Sequence, residues 1–303
     1  MKIPRRHHGA ALILVLWLVA ALSLVVLASA HGIRQQTRHM GLSLERLRSE
    51  SVLDAALQLI AQRMVSEKGT AAQYRRQRMV LGGSTIWLEI TPANGLVDIN
   101  VASDALFQAL FQNVGRLAPG EAAVMVSRVR DFIDPDDVPS GIGGAEAAQY
   151  RAANWPAVPR NTGLDDLSEL KAVLGMTPAL YETIFPYLSI NGEQRIDIRS
   201  APSALIDALT GESGLGARIH SSPSDTQTSV PLSGIAAEFF TSAPAGGAQA
   251  LRVRVFMQTE GGRWWQREAW IDLNERPDGL MPWTTLSLEP TRRVNNPEQE
   301  FKP

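Results

Sequence analysis

The chain has 303 residues, a length that allows one to three compact units. Its 29 lysines and arginines nearly balance 31 aspartates and glutamates, so no overall field draws the chain to nucleic acid, and we expect no nucleic-acid partner. There is no cysteine, which excludes disulfides, thiolate metal sites and cysteine nucleophiles.

The N-terminus carries an apolar run behind a short basic segment. Lys2, Arg5 and Arg6 precede residues 10–30, which contain no charged side chain. At ~1.5 Å per residue, a helix of this length covers the ~30 Å hydrocarbon layer of a bilayer. We therefore predict a single transmembrane helix over 10–30. The positive-inside rule places its N-terminus in the cytoplasm and the rest of the chain outside.

A different interpretation starts from the small residues Ala28, Ser29 and Ala30, which have the form of a conventional signal-peptide cleavage site. Cleavage after Ala30 would release a periplasmic binding or scaffold protein. Against this, the apolar run is longer than the ~7 to 15 residues usual in such signals. The two interpretations differ in whether the helix is kept.

The segment that follows, residues 31–68, has apolar residues at three, four or seven residue steps, with charged residues on other faces. This pattern predicts an amphipathic helix. No proline interrupts the chain between Arg5 and Ile90, so the apolar and amphipathic segments are predicted to form one helix.

Alternating residues predict a small antiparallel sheet in two parts, over residues 69–99 and 250–289. The first part includes "STIWLEI" from Ser84, and the second contains two alternating runs around Glu260, Gly261 and Gly262, typical of a hairpin. Trp283 to Leu288 is predicted to add a last strand. Residues 290–303 are predicted to form a flexible tail.

Residues 100–249 show short helical patterns broken by Gly and Pro, which predicts a mostly helical inserted domain. It contains an internal echo: "VDINVASDALFQAL" from Val97 and "IDIRSAPSALIDAL" from Ile196 are identical at seven of fourteen positions. Each copy is predicted to be a short extended piece, a cap and a helix. A recurrent strand-to-helix turn without common origin would give the same pattern.

Between the copies, residues 163–190 resemble a helix-turn-helix of the kind found in DNA-binding proteins. Their first helix is acidic and is poorly suited to binding the phosphates of DNA.

No catalytic constellation is found, so we predict that the chain is not an enzyme. An acidic cluster is the best candidate for a ligand site; its members are Asp131, Asp134, Asp136, Asp137 and Glu146. Carboxylate oxygens on a Pro- and Gly-rich loop suit calcium, and we predict Asp134, Asp136, Asp137 and Glu146 as ligands. Two alternatives stay open: a solvated acidic loop after a helix, and a membrane-anchored hydrolase that uses a divalent metal.

The N-terminal segment resembles the class III signal of type IV pilins and type II secretion pseudopilins, in which a basic leader ends in glycine before an apolar helix. The resemblance implies that a prepilin peptidase cuts after Gly9, removes residues 1–9 and methylates Ala10. Most members carry a glutamate at the fifth mature position, where this chain has Leu14. The family's assembly mechanism assigns a subunit without that carboxylate to the filament tip.

The segment Arg130 to Met176, which contains "IDPDD", "GAE" and "SELKAVLG", resembles the K-type minor pseudopilin of type II secretion, general secretion pathway protein K. The resemblance implies an α+β fold, with a pilin-like helix on a small antiparallel sheet and a large helical insertion. It implies a structural role at the tip of the periplasmic pseudopilus, anchored in the inner membrane. The implied partners are the I and J minor pseudopilins, the major pseudopilin, the prepilin peptidase and the inner-membrane secretion platform. Some family members are reported to bind calcium. The chain departs from its relatives at Asp197–Ala201, where many of them carry asparagines.

Overall fold

The computed structural model describes residues 8–66, 73–190, 193–221, 234–242, 250–274 and 281–297, with the side chains of 8–11, 25–39 and 235–236 left out. By its internal contacts the chain divides into two units, Met1–Val52 and Leu53–Pro303. The predicted insertion is therefore part of the second unit.

One helix, α1, runs from His8 to Ser66 over 59 residues, as the absence of proline predicted. Its described apolar side chains between Leu12 and Leu24 are exposed; Leu14, for example, is 67% exposed. Within the part of the chain whose side chains are described, no helix is both long enough and apolar enough to cross a membrane. The side chains at the predicted cleavage point, Gly9 and Ala10, and at Ala28–Ala30 lie outside that part.

Six strands form one antiparallel sheet: β1 (Arg75–Leu81), β2 (Ser84–Pro92), β7 (Ala250–Gln258), β8 (Trp264–Asp272), β9 (Thr284–Leu288) and β10 (Arg292–Val294). Their order in the sheet is β1, β2, β7, β8, and both β9 and β10 pair with β8. Strand β2, the β7–β8 hairpin and β9 match the sequence prediction.

The two faces of the sheet differ because side chains alternate along each strand. One face is apolar and carries Ile86, Leu88, Val253 and Val255, all fully buried. It also carries Arg267, whose Nε lies 2.6 Å from Oδ1 of Asp54 in α1. This ion pair places the C-terminal part of α1 on the apolar face, where Leu53, Leu57, Ile60 and Met64 are buried at helical spacing. The opposite face carries Trp87, Glu89, Arg252 and Arg254.

Between β2 and β7 the chain is mostly helical. The helices are α2 (Asp104–Ala109), α3 (Pro119–Ile133), α4 (Ala147–Ala152), α5 (Pro178–Ile184), α6 (Ser203–Thr210), α7 (Leu215–Ser221) and α8 (Ile235–Phe239). The short strands are β3 (Val97–Asp98), β4 (Leu188–Ser189), β5 (Ile196–Asp197) and β6 (Phe240–Thr241). One apolar core runs through all of this region, from Val97 to Phe240.

The two echo copies adopt the same local structure. Strand β3 pairs in parallel with β4, and β5 pairs in parallel with β6. In each copy the strand aspartate accepts a hydrogen bond from the amide two residues on: Asn100 N to Asp98 Oδ1 at 2.8 Å and Arg199 N to Asp197 Oδ1 at 3.0 Å. Helices α2 and α6 then begin at corresponding positions, which confirms the predicted strand and helix in both copies. The Ser103 side chain caps α2, whereas Pro202 before α6 makes no side-chain cap.

One strand was missed, and two predictions need correction. Strand β1 was not predicted, although Gly82 and Gly83 (φ +57° and +79°) make the tight hairpin turn that joins it to β2. The predicted tail from residue 290 instead begins with β10, which pairs with the part of β8 that β9 leaves free. The helix predicted near Leu167 is a 3-10 helix, Leu167–Ala172.

A candidate cation site and a buried ion cluster

The acidic cluster lies on the loop between α3 and α4. Helix α3 ends where Asp134 adopts an extended conformation (φ −79°, ψ 160°), because the proline that follows disfavours a helical residue before it. Glu146 is the residue directly before α4. The chain thus leaves one helix at Asp134 and enters the next at Glu146.

Asp131 stabilises this loop through hydrogen bonds to the loop itself. Its carboxylate accepts hydrogen bonds from the backbone N–H of Ser140 at 2.9 Å and of Ala145 at 2.6 Å, and from the Ser140 hydroxyl. Gly144 lies so close to the Asp131 carboxylate and the Ser140 carbonyl that any Cβ there would collide with both. The loop therefore requires glycine at this position.

Three of the four predicted ligands come together. Carboxylate oxygens of Asp134, Asp136 and Glu146 lie within 4.8 Å of one another. Asp137 is outside this group; its Oδ1 accepts a hydrogen bond from Asn161 Nδ2 at 3.1 Å. This arrangement reflects the loop's turn, in which Asp136 Oδ1 accepts from Val138 N at 2.8 Å.

Glu146 is the member of the group whose burial most strongly indicates a cation site. It is 3% exposed, and both of its carboxylate oxygens are buried without a hydrogen-bond partner, as is Oδ1 of Asp134. Burial and, to a smaller extent, the charges of the neighbouring aspartates together raise the pKa of Glu146 to about 7. Burial and the charge of Asp136 also raise the pKa of Asp134. Buried carboxylates that are close together and unpaired are costly unless a cation joins them.

Asn161 belongs to the same neighbourhood, and sequence reasoning missed it. Its side-chain Nδ2 donates to the Asp136 carbonyl at 3.1 Å, and its Oδ1 is buried without a hydrogen-bond partner. Its backbone has φ +54°, a conformation that asparagine tolerates better than most residues. An asparagine in an irregular segment was the only signal in the sequence.

The region after the acidic loop holds the chain around residues 172–174. The Tyr150 hydroxyl accepts from Leu174 N at 2.9 Å, and Trp155 Nε1 donates to the Ala172 carbonyl at 2.8 Å. Arg128 links the two segments directly, since it donates to the carbonyls of Gly143 at 3.2 Å and Leu174 at 3.1 Å. The conformation of the acidic loop is thus tied to that of residues 172–174.

A second buried carboxylate, Glu89, lies on the face of the sheet opposite α1. It is 1% exposed and forms ion pairs with Arg76 of β1 and Arg254 of β7. Burial by itself would raise its pKa, but the nearby charges of Arg254, Arg76 and Arg252 outweigh burial and lower the pKa to about 2. Arg252, itself fully buried, donates to the carbonyl of Pro186 and so joins the sheet to the helical region.

These elements define the class of fold. A long N-terminal helix carries an antiparallel sheet on its C-terminal part, and a helical region with the acidic loop is inserted between β2 and β7. This is the pilin-like α+β fold with a helical insertion that the sequence predicted.

Comparison with known proteins narrows the class to a family. Residues 90–193 match the model of the family described as "Type II secretion system (T2SS), protein K". Type II secretion system protein K of Klebsiella pneumoniae is 24% identical over 215 residues, covering 64% of this chain and 65% of the relative. The protein K of Pectobacterium carotovorum subsp. carotovorum is 27% identical over 213 residues, covering 60% and 62%. The matched region thus spans less than two thirds of each relative.

A solved structure shares the fold. A chain of the GspK-GspI-GspJ complex from the type 2 secretion system of enterotoxigenic Escherichia coli matches with a TM-score of 0.52 and 17% identity. The match covers 86% of this chain and all of the other. These findings confirm the resemblance seen in the sequence: the chain is similar to type II secretion system protein K, and residues 90–193 match the model of that family.

Proposed function

We propose that this protein is a minor pseudopilin of the K type, which joins or caps the tip of the periplasmic pseudopilus and is needed for the export of folded proteins. The observation that carries the proposal is the protein K domain in the same chain as a 59-residue helix with exposed apolar side chains in its N-terminal part. Its role is structural, and its partners include the I and J minor pseudopilins, in line with the subunits named in the similar complex.

The exposed apolar part of α1 supports a further part of the proposal. Large apolar side chains exposed in a continuous run are typical of a surface that another phase or another chain covers. We place residues 10–30 in the inner membrane before assembly, with the N-terminus cytoplasmic and the remaining chain periplasmic. The prepilin peptidase, the major pseudopilin and the inner-membrane platform are then the other partners. Leu14, which removes the usual buried carboxylate, favours the tip position.

The test is the N-terminus of the mature protein. Full-length protein is produced with and without a prepilin peptidase, and its intact mass and N-terminal sequence are measured. We expect a chain that begins at Ala10, with an added methyl group, only when the peptidase is present. Gly9→Val should abolish this processing, while His8→Ala is the matched control that should leave it unchanged. A mature chain that begins at His31 would refute the proposal and favour the released periplasmic protein.

We also propose that Asp134, Asp136 and Glu146 bind calcium. The buried, unpaired oxygens of Glu146 and Asp134 support this, because calcium accepts six to eight oxygen ligands in irregular geometry. Asn161 Oδ1, also buried and without a partner, is a further candidate ligand. The bound cation would offset the repulsion among the carboxylates and fix the loop between α3 and α4.

Thermal unfolding of EDTA-treated protein tests the calcium site. Calcium at about a hundred times its dissociation constant should stabilise the fold by about 2.7 kcal/mol. Glu146→Gln should remove this stabilisation, whereas Glu260→Gln, at an exposed hairpin position, should keep it. If the wild-type chain shows neither binding heat nor a rise in melting temperature, the loop is a solvated acidic loop and no calcium site exists.

A further inference from the structure

A groove of about 970 Å³ lies apart from the acidic loop, between the helical region and the sheet. One wall comes from the 3-10 helix Leu167–Ala172 and from α5, and the other from β8, β9 and β10. Tyr181, Phe185 and Trp270 contribute aromatic surface to it. The exposed side chains of Glu182 and Glu289 show that the groove is open to solvent.

The charge around the groove is unbalanced. Five carboxylates line it, those of Asp165, Asp166, Glu182, Glu268 and Glu289; the cations that line it are Lys171 and Arg292, and Asp165 also pairs with Arg160. Lys171 lies over the ring of Tyr181, with Nζ 4.6 Å from the ring centroid. Burial and the charges of Asp166, Glu289 and Glu268 together raise the pKa of Tyr181 to about 12. The groove therefore has a negative field and favours a cationic occupant.

Both walls are fixed, so the groove is preformed. The Asp166 carboxylate caps the 3-10 helix by accepting from Ser168 N at 2.6 Å. Trp155 holds the last residue of this helix, Ala172, and Tyr150 holds Leu174 just beyond it. On the other side, Glu289 N donates to the Glu268 carbonyl at 2.9 Å and holds β9 on β8. Binding to a preformed site loses little free energy to the ordering of side chains and loops.

The strand in the second wall indicates the form of the occupant. Among the described strands, β9 pairs with β8 alone, so no described strand covers the backbone N–H and C=O groups of its other edge. Edges of this kind are places where another chain adds an extended segment. Leu286 and Ser287 of β9 both line the groove.

We propose that this groove is a docking site for an extended segment of another protein chain in which arginine or lysine alternates with apolar residues. The cations would lie against the carboxylates of Glu182, Glu268 and Glu289, and the apolar side chains against Tyr181, Phe185 and Trp270. This inference names a partner chemistry for the proposed tip subunit and rests on that function.

The test uses full-length protein in a non-ionic detergent and a fluorescein-labelled eight-residue peptide of alternating arginine and leucine. A peptide with glutamate in place of arginine is the probe control. Binding is measured by fluorescence anisotropy. The double variant Glu182→Lys with Glu289→Lys should weaken binding of the arginine peptide by about tenfold or more, because like charges then face each other.

The matched control is Glu193→Lys with Glu260→Lys, which makes the same change in net charge at exposed positions outside the groove. It should change affinity by no more than about twofold, as expected for exposed charges. Equal losses in the two double variants, or no binding to the wild-type chain, would overturn the proposal. Peptidase processing is measured separately, so a chain that is processed but does not bind the peptide refutes the groove alone. A chain that binds the peptide but is not processed refutes the pseudopilin role.

Discussion

Two glutamates of this protein, Glu89 and Glu146, are almost equally buried, but the charges around them have opposite signs. Glu89, 1% exposed, is surrounded by arginines from two strands, and its pKa is lowered to about 2. Glu146, 3% exposed, faces other carboxylates, and its pKa is raised to about 7. Arginine side chains neutralise the charge of Glu89, whereas no cationic side chain among the described residues pairs with Glu146. Burial alone does not distinguish the two sites. The arginines around Glu89 make it part of a structural ion cluster, whereas the carboxylates around Glu146 make it a candidate cation ligand.

The largest expected effect concerns Glu89. Glu89→Gln removes the buried carboxylate that pairs with Arg76 and Arg254 and lies near the buried Arg252, and breaking a buried ion pair typically costs about 3–5 kcal/mol. Chemical denaturation should show this loss of unfolding free energy equally with calcium and with EDTA. Glu260→Gln is the exposed control and should stay within about 0.5 kcal/mol of wild type. A loss for Glu89→Gln that calcium reverses would show that the two sites are not independent.

The pH dependence of stability should have opposite signs at the two sites. The pKa of Glu89 is lowered from 4.5 in folding, so its contribution is complete above pH 4.5 and is lost as the pH falls towards 2. The pKa of Glu146 is raised from 4.5, so calcium-free protein should lose stability as the pH rises from 4.5 to 7. At roughly 1.4 kcal/mol per pKa unit, each effect is roughly 3 kcal/mol.

Denaturation series at several pH values, with EDTA present, would measure both effects. Glu146→Gln should flatten the profile between pH 4.5 and 7, and Glu89→Gln should flatten its acid side. Calcium should restore the stability of the wild-type chain at pH 7. A wild-type profile that rises between pH 4.5 and 7 without calcium would contradict the unpaired state of Glu146.

The acidic loop offers a smaller, more selective comparison. Because Asp137 lies outside the group of three carboxylates and bonds Asn161, Asp137→Asn should weaken calcium binding by about tenfold, as outer partners of metal ligands do. Glu146→Gln should weaken it by more than that, since it removes a charged ligand. Calorimetric titration of both variants measures the difference. Equal losses would restore the four-ligand set predicted from the sequence.

The smallest expected effect is on dynamics. Calcium at Glu146 should slow hydrogen exchange of the Leu174 amide, because Tyr150 and Arg128 tie that segment to the loop. The amide of Val255, in the middle of the sheet, should exchange at the same rate with and without calcium. Mass spectrometry of exchanged peptides would show the change, and no difference at Leu174 would mean that the loop and this segment move independently.

Local patterns in the sequence predicted much of the fold. Helix α1, strand β2, the β7–β8 hairpin and both copies of the echo follow from spacing, alternation and glycine or proline positions, all of which act over a few residues. Strand β10 was missed because three residues carry too little pattern, and only pairing with β8 makes them a strand. The 3-10 form of Leu167–Ala172 is likewise set by its caps and tertiary hydrogen bonds.

The sequence by itself determined the kind of protein: a charge-balanced, cysteine-free chain with a long apolar helix, a small sheet, a helical insertion and a carboxylate-rich loop. It also pointed to Asp134, Asp136 and Glu146, because all three lie on one short loop between two helices, but it could not show that Asp137 bonds Asn161 instead. Only the tertiary structure could separate Glu146 from Glu89. The partners of Glu89 include Arg254, which is 165 residues away along the chain, and the charge that a buried group meets depends on such distant contacts.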